Sequence, residues 1–140
     1  MAVGRVPTER ELHFTKHCPY CHETPICLNH KHKMYPYRND YGYIWLCPSC
    51  KAFVGCHRGT KIPKGFLANK NIRVLRKQAH ALFDPIWQEG HMKRRQAYRR
   101  LAELLAIEKE EAHISQLSEE QLYKLIRSLQ LRYRLEKRDG

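Results

Sequence analysis

Apolar residues return every three or four positions through the second half of the chain, which is the spacing of one face of an α-helix. In the first such stretch these positions are Ile72, Leu75, Ala79, Leu82 and Phe83. They predict a helix from about Asn69 to Phe83. Asp84-Pro85 is expected to interrupt it, because the residue before a proline disfavours helical conformation. Asp84 is then predicted to cap a new turn with Pro85 in its first position.

Two further stretches follow the same period. The second predicts a helix from about His91 to Glu108, with an apolar face of Tyr98, Leu101, Ala102 and Leu105. The third begins at Ser118, where Ser118-Glu119-Glu120-Gln121 matches a capping box. Its apolar face consists of Leu122, Leu125, Ile126 and Leu129. The basic tail from Arg132 is expected to fray.

The first half of the chain has shorter, strand-like runs. Gly42–Leu46 and Lys51–Gly55 are predicted strands on either side of a cysteine pair, and Asn39–Gly42 is a predicted turn. Met34–Tyr37 is a possible edge strand, because proline is tolerated only at the edge of a sheet. These runs predict a small antiparallel sheet in front of about three helices, an α+β fold.

Four cysteines flank those strands in two matched pairs, Cys18-x2-Cys21 and Cys47-x2-Cys50. Two intervening residues allow a tight turn that aims both thiolates at one metal ion, and two such turns complete a tetrahedron. The pattern predicts one Zn²⁺ held by four thiolates. Because no position remains for water, the ion is expected to be structural. A redox pair and disulfides are the alternatives.

A bound metal also explains how the cysteine-rich segment, residues 17–59, can fold. About 40 residues bury too few apolar side chains to be stable without it. We therefore expect a loose, polar lead-in at 1–16, a zinc-ribbon module at 17–65, a helical region at 66–135 and a basic tail at 136–140. Cys27 and Cys56, with nearby histidines, leave a second metal site as an alternative to buried thiols and surface imidazoles.

The charge of the chain changes the functional picture. The 140 residues carry 26 Lys and Arg against 14 Asp and Glu, a formal net charge of +12. Such an excess favours a polyanionic partner, most often nucleic acid, although it can simply aid solubility. No apolar run is long enough to span a bilayer, and the first 16 residues do not resemble a signal peptide. A reducing cytoplasm is the expected compartment.

The cations concentrate on the predicted helices and just before them. Candidate nucleic-acid contacts are Arg58, Lys61, Lys64, Arg73, Arg76, Lys77, Arg94, Arg95 and Arg99. Cations on one helix face can follow a phosphate backbone, but such runs are also typical of solvated faces. Tyr41, Tyr43 or Trp45 can stack on unpaired bases if exposed, and Trp45 is the one expected in the core.

A third hypothesis is a metal-dependent nuclease whose catalytic residues are His57, His80 and Asp84. His80 and Asp84 are four residues apart, so on a helix they share a face and can orient one another. No second carboxylate or nuclease motif accompanies them. We therefore expect a protein that is not an enzyme.

The order of motifs is itself recognisable. They are Cys18-Pro19-Tyr20-Cys21, the run from Leu46 to His57, Gly59-Thr60, Pro63, Gly65, and the run from Arg73 to Trp87. The chain from Cys18 to Leu129 resembles a family of small zinc-finger-containing proteins of unknown function from phages and bacterial mobile elements. The resemblance implies the four zinc ligands, a host cytoplasmic setting, and importance for His57, Arg73, Arg76, His80 and Asp84.

Two functional hypotheses follow. The first is a phage-type zinc-ribbon protein that binds DNA or RNA through a basic surface in a regulatory or accessory role. The alternative is a protein-binding module that inhibits or redirects a host enzyme, such as a defence nuclease or a polymerase. Neither requires a membrane, and the sequence predicts no particular oligomeric state.

Overall fold

The computed structural model describes residues 5–139, with side chains described as far as residue 132. The chain forms two compact units, which divide between Lys70 and Asn71. The first contains the sheet and all six cysteines, and the second contains the long helices. Each unit has its own set of buried apolar side chains.

The sheet of the first unit is a three-stranded antiparallel meander, β1 (Ile26–Leu28), β2 (Ile44–Leu46) and β3 (Phe53–Gly55), in that order. Trp45 on β2 lies opposite Cys27 on one side and Val54 on the other. Alternation along the strands places these three residues on one face, and Leu28, Ile44 and Leu46 on the other. The structure confirms the α+β class and the small antiparallel sheet.

The third strand is not the one predicted. Residues 34–37 lie in a loop, and β1 supplies the third strand instead. The loop conformation is held by the hydroxyl of Tyr35, which donates to the carbonyl of Gly42 at 2.7 Å. The sequence signal for β1 is a short apolar run bounded by Pro25 and Asn29, which is consistent with a strand of three residues.

Part of the segment before the first cysteine is helical, whereas the sequence predicted a loose lead-in. Helix α1 (Glu9–Phe14) begins with a capping box in which Thr8 Oγ1 accepts from the backbone of Glu11 and the Glu11 carboxylate accepts from the backbone of Thr8. At its other end Phe14 is buried and packs edge-to-face on Phe66, with ring centroids 4.6 Å apart. One buried aromatic and one cap order a helix too short to be stable alone.

Helix α2 (Lys70–Gln88) continues through Asp84-Pro85, where the sequence predicted its end. Proline removes one N–H, so the helix loses a hydrogen bond at this turn. The carbonyl of Pro85 still accepts from the backbone of Glu89 at 2.9 Å, and the buried Phe83 keeps the apolar face in the core. Asp84 therefore caps no new turn, and its carboxylate contacts His80 instead.

Helix α3 (Arg94–Leu105) is shorter than the predicted 91–108, because Ala106 adopts a left-handed conformation that ends it. Two 3₁₀ turns, Lys109–Glu111 and Ile114–Gln116, lead to helix α4 (Glu119–Asp139). Ser118 and Gln121 form the predicted capping box, with reciprocal bonds of 3.1 and 2.9 Å. The helix continues beyond Arg132, where the sequence predicted fraying.

The core of the second unit is built from the predicted apolar faces. Ile72, Leu75, Ala79 and Phe83 of α2 are buried. The buried residues of α3 and α4 are Ala97, Leu101, Ala102, Leu105, Leu122, Leu125 and Ile126. Among the helices of residues 5–139, none combines the length and apolar character that crossing a bilayer requires.

Candidate functional site

Each Cys-x-x-Cys pair forms the same tight turn. In the first, the backbone N–H of Cys18 donates to Glu23 O and that of His22 donates to Cys18 O. In the second, Cys47 donates to Ala52 O and Lys51 donates to Cys47 O, with distances that match the first turn within 0.1 Å. Two local sequences of one pattern therefore fold into two equivalent metal-binding turns.

The two turns face one another and are tied together. The hydroxyl of Ser49 in the second turn donates to the carboxylate of Glu23 in the first. Tyr20 of the first turn donates its hydroxyl proton to Leu67 O and accepts from the backbone of Asn69, both at 3.2 Å. The end of the first unit is thereby anchored to the metal-binding turn.

The four sulfurs lie within 4.8 Å of one another. Cys18 Sγ is 3.4 Å from Cys50 Sγ, and Cys21 Sγ is 3.3 Å from Cys47 Sγ and 3.9 Å from Cys50 Sγ. A tetrahedron with Zn–S bonds of about 2.3 Å has edges of about 3.8 Å, close to these separations. A disulfide requires an S–S distance of about 2.05 Å, so no two of the four are joined by a disulfide bond.

The hydrogen bonds around Cys47 favour its thiolate, which is the form that binds a metal. Cys18 and Cys47 are buried, and Cys21 and Cys50 lie nearer the surface. Burial acts to raise the pKa of Cys47, but hydrogen bonds from the backbone of Cys50, the thiol of Cys21 and the backbone of Ser49 lower it to about 7. Four cysteines and no open position fit one structural Zn²⁺ and leave no place for a metal-bound water.

Both turns place a non-glycine residue in the left-handed region, His22 and Lys51, each with φ of 66°. An L side chain is strained there by about 1 kcal/mol, whereas glycine is not. We expect Lys51→Gly to raise the free energy of unfolding of the zinc-loaded protein by about 0.5–1 kcal/mol, measured by chemical unfolding at fixed zinc. Lys33→Gly is the control, because Lys33 has negative φ and should gain nothing. A Lys51→Gly protein less stable than the wild type would contradict this explanation.

Cys27 and Cys56 do not join the metal group, nor do they form a second one among the described residues. Cys27 lies on β1 opposite Trp45, and Cys56 follows β3 and is buried. Burial raises the pKa of Cys27, and it raises the pKa of Cys56 to about 12. In both cases the environment disfavours the thiolate, and both side chains pack in the first unit.

The predicted nucleic-acid contacts fall in both units. Arg58, Lys61 and Lys64 lie in the loop after β3 and are exposed. The carbonyl of Lys61 accepts from the indole of Trp45 at 2.7 Å, and its ammonium lies 5.2 Å from the ring of Tyr43. The half-buried Trp45 thus belongs to the fold of the first unit, as predicted.

In the second unit the predicted cations differ in availability. Arg73 and Arg76 on α2 are half-buried and have interactions of their own. Arg94 contacts two aromatic rings, with its guanidinium carbon 5.1 Å from the ring centroid of Trp87 and 5.3 Å from that of Tyr98. Lys77, Arg95 and Arg99 are exposed, and no acidic side chain among residues 5–132 pairs with them.

The predicted catalytic residues are divided between the units. His80 Nδ1 lies 3.0 Å from Asp84 Oδ2, as the helical spacing predicted. His57 belongs to the first unit, where its Nε2 lies 3.5 Å from Glu11 Oε2. In the described part of the chain no third metal-binding side chain joins His80 and Asp84. This geometry adds no support for a nuclease centre.

Glu11 is a residue that the sequence analysis did not single out. Its side chain is 13% exposed, and its carboxylate accepts from both terminal guanidinium nitrogens of Arg5, at 3.0 and 2.7 Å. Hydrogen bonds from Arg5 lower its pKa from 4.5 to about 2. Because the pKa is lowered by folding, the stabilisation is complete above about pH 4.5 and is lost as the pH falls toward 2. Only the capping-box spacing Thr8-x2-Glu11 signals this residue in the sequence.

The loop of residues 29–43, between β1 and β2, contains a group of exposed tyrosines and cations that the sequence mostly did not predict. Tyr37 and Tyr41 are 46% and 65% exposed and pack edge-to-face, with ring centroids 5.0 Å apart. Exposed cations in the same loop are Lys31, Lys33 and Arg38. Of this group only Tyr41 was predicted, because the run around Tyr37 was interpreted as a strand.

Comparison with known proteins agrees with the metal centre. Searches of the curated proteins and of the solved structures found no match to this chain. A family model described as a zinc-finger-containing domain matches residues 14–132. That range covers all four clustered cysteines and most of both units. The chain therefore belongs to this family of zinc-finger-containing domains.

Proposed function

We propose that this protein binds nucleic acid, DNA or RNA, through exposed cations on its zinc-binding unit and on helices α2 and α3. The zinc holds the first unit rigid, so that cations there are presented in a fixed arrangement. The contacts are mainly to phosphates, which position a protein on nucleic acid without reading its sequence.

The observation that carries the proposal is a set of exposed cations without acidic partners. Arg58 in the first unit and Lys77, Arg95 and Arg99 in the second are exposed, and none pairs with an acidic side chain among residues 5–132. A surface that is merely solvated usually intersperses both signs of charge. An unbalanced surface attracts a polyanion and releases its counterions on binding.

The first unit is especially short of negative charge. Residues 1–70 contain 11 Lys and Arg and only four acidic residues. Three of those four are engaged: Glu11 with Arg5, Glu23 with Ser49, and Asp40 with the backbone of Gly42 at 2.8 Å. With histidine counted as neutral, residues 1–70 therefore carry seven more positive than negative charges.

The test is a triple variant, Lys77→Ala, Arg95→Ala and Arg99→Ala, compared with wild type for binding to labelled single-stranded and duplex oligonucleotides at low salt. We expect affinity to fall about tenfold or more, because up to three phosphate contacts are lost. The matched control replaces Lys16, Lys109 and Lys124 by alanine, which removes the same charge from exposed positions outside the predicted set. Its affinity should change by a factor of about three or less, as expected when only net charge changes.

Two results decide against the proposal. If no complex forms with either oligonucleotide at low salt, the protein does not bind nucleic acid. If both triple variants lose the same affinity, the cations of α2 and α3 are not the contact residues. A partner captured from lysate after nuclease treatment would instead favour the alternative, a module that modulates a host enzyme. In either role we place the protein in a phage or mobile element, on the resemblance of its motifs.

A further inference from the structure

The loop of residues 29–43 presents aromatic rings to solvent on the zinc-binding unit. Tyr41 is 65% exposed and Tyr37 is 46% exposed, although apolar ring surface is normally buried. Tyr37 also packs edge-to-face on Phe53 of β3, with centroids 5.7 Å apart and planes at 90°. The exposed rings are thus supported by the sheet.

The loop is held in one conformation by side-chain hydrogen bonds. The hydroxyl of Tyr35 accepts from the backbone of Tyr41 at 3.0 Å while donating to Gly42 O. Asp40 Oδ1 accepts from the backbone of Gly42, whose φ of 88° suits glycine, and Asp40 Oδ2 lies 3.2 Å from His30 Nδ1. The rings are therefore positioned before any ligand arrives, which reduces the ordering cost of binding.

Cations surround this aromatic pair along the chain. Lys31, Lys33 and Arg38 are exposed, and none pairs with an acidic side chain in the described part of the chain. The loop's one carboxylate, Asp40, is already occupied by His30 and Gly42. Exposed rings can stack on planar groups, and the unpaired cations beside them can bind anionic groups. This combination suits a ligand with both kinds of group better than it suits an apolar protein surface.

Two neighbouring aromatic side chains, Tyr43 and Trp45, are less available for stacking. Trp45 is half-buried and donates its indole proton to Lys61 O. Tyr43 is half-buried, with the ammonium of Lys61 over its ring. Of the three aromatics considered from the sequence, only Tyr41 therefore remains exposed enough to stack on a ligand.

We propose that Tyr37 and Tyr41 form a stacking platform for the unpaired bases of single-stranded nucleic acid, with Lys31, Lys33 and Arg38 contacting its phosphates. This inference rests on the proposed function and specifies its ligand. Bases within a duplex are already stacked on one another, so their faces cannot reach a protruding tyrosine. The faces of unpaired bases can reach the tyrosines, so the platform favours single strands over duplexes. Because every base has a π face, the platform does not favour a particular sequence.

The test measures the affinity of the full zinc-loaded protein for a single-stranded oligonucleotide and for its duplex, using wild type, Tyr41→Ala and Tyr41→Phe. We expect wild type to prefer the single strand, and Tyr41→Ala to bind it about 5- to 100-fold more weakly, as loss of one stacked base predicts. Tyr41→Phe keeps the ring and should restore binding. Tyr123→Ala, at an exposed tyrosine of α4, should leave affinity unchanged.

The outcomes separate this inference from the proposed function. If wild type binds both forms at low salt but Tyr41→Ala binds the single strand as well as wild type does, the platform is wrong and the proposed function stands. Equal losses for both forms also overturn the platform, since base stacking cannot act on a duplex. If no form binds at low salt, both ideas fail. Zinc content and thermal unfolding of Tyr41→Ala should match wild type, because the Tyr41 ring is mostly exposed.

Discussion

Removal of the metal, by a chelator or by Cys47→Ser, is expected to unfold residues 17–59. The three strands have three residues each, which is too few for a sheet to persist without a supporting core. That core is small and includes ligands themselves: Cys18 and Cys47 are fully buried beside Val54 and Leu67. Zinc binding of order 10 kcal/mol supplies what this apolar cluster lacks.

Native mass spectrometry and hydrogen exchange measure this effect. The wild type should contain one zinc, and chelation should remove amide protection across residues 17–59. Cys27→Ser is the matched control, because it makes the same chemical change at a cysteine outside the metal group. The Cys27→Ser protein should retain its zinc and the protection of its amides from hydrogen exchange. If Cys47→Ser kept a native exchange pattern without metal, the structural role assigned to zinc would be wrong.

Nucleic-acid affinity is expected to fall steeply with salt, and its slope counts the contacts. Each phosphate neutralised on a single strand contributes about 0.7 to the slope of log affinity against log salt. If only Lys31, Lys33 and Arg38 bind phosphates, raising salt from ~50 to ~200 mM should weaken binding about 20-fold. If Lys77, Arg95 and Arg99 also bind, the loss should be about 300-fold.

Fluorescence anisotropy at several salt concentrations gives the slope directly. The triple variant of Lys77, Arg95 and Arg99 should lower the slope by about 2 if those residues contact a single strand, and the triple control at Lys16, Lys109 and Lys124 should not. Tyr41→Ala should lower affinity without changing the slope, since a stacked ring releases no counterions. An affinity that does not depend on salt would contradict phosphate recognition.

The sequence predicted correctly those features that depend on interactions between residues close together in the chain. The two Cys-x-x-Cys pairs predicted the metal centre, because two residues between cysteines permit one kind of turn, and both turns have it. The capping box at Ser118 was confirmed for the same reason. The spacing of His80 and Asp84 also predicted their contact, since residues four apart on a helix share a face.

The predictions were wrong where a contact with a residue distant in the chain stabilises a conformation that the local sequence disfavours. Asp84-Pro85 should end a helix, but burial of Phe83 on the same apolar face carries α2 through the proline. The lead-in was predicted to be loose, but Phe14 is buried against Phe66, more than fifty residues later in the chain. Neither contact is visible in a window of neighbouring residues.

The sequence by itself determined that four thiolates hold one zinc, that a small sheet precedes amphipathic helices, and that positive charge is in excess. Only the tertiary structure decided which side chains reach solvent. It placed Arg94 against the rings of Trp87 and Tyr98, and Trp45 beside the core. It left Tyr37, Tyr41 and Lys77 exposed. The reason is physical: charge and ligand type belong to a residue wherever it lies, whereas exposure depends on what packs against it from elsewhere in the chain.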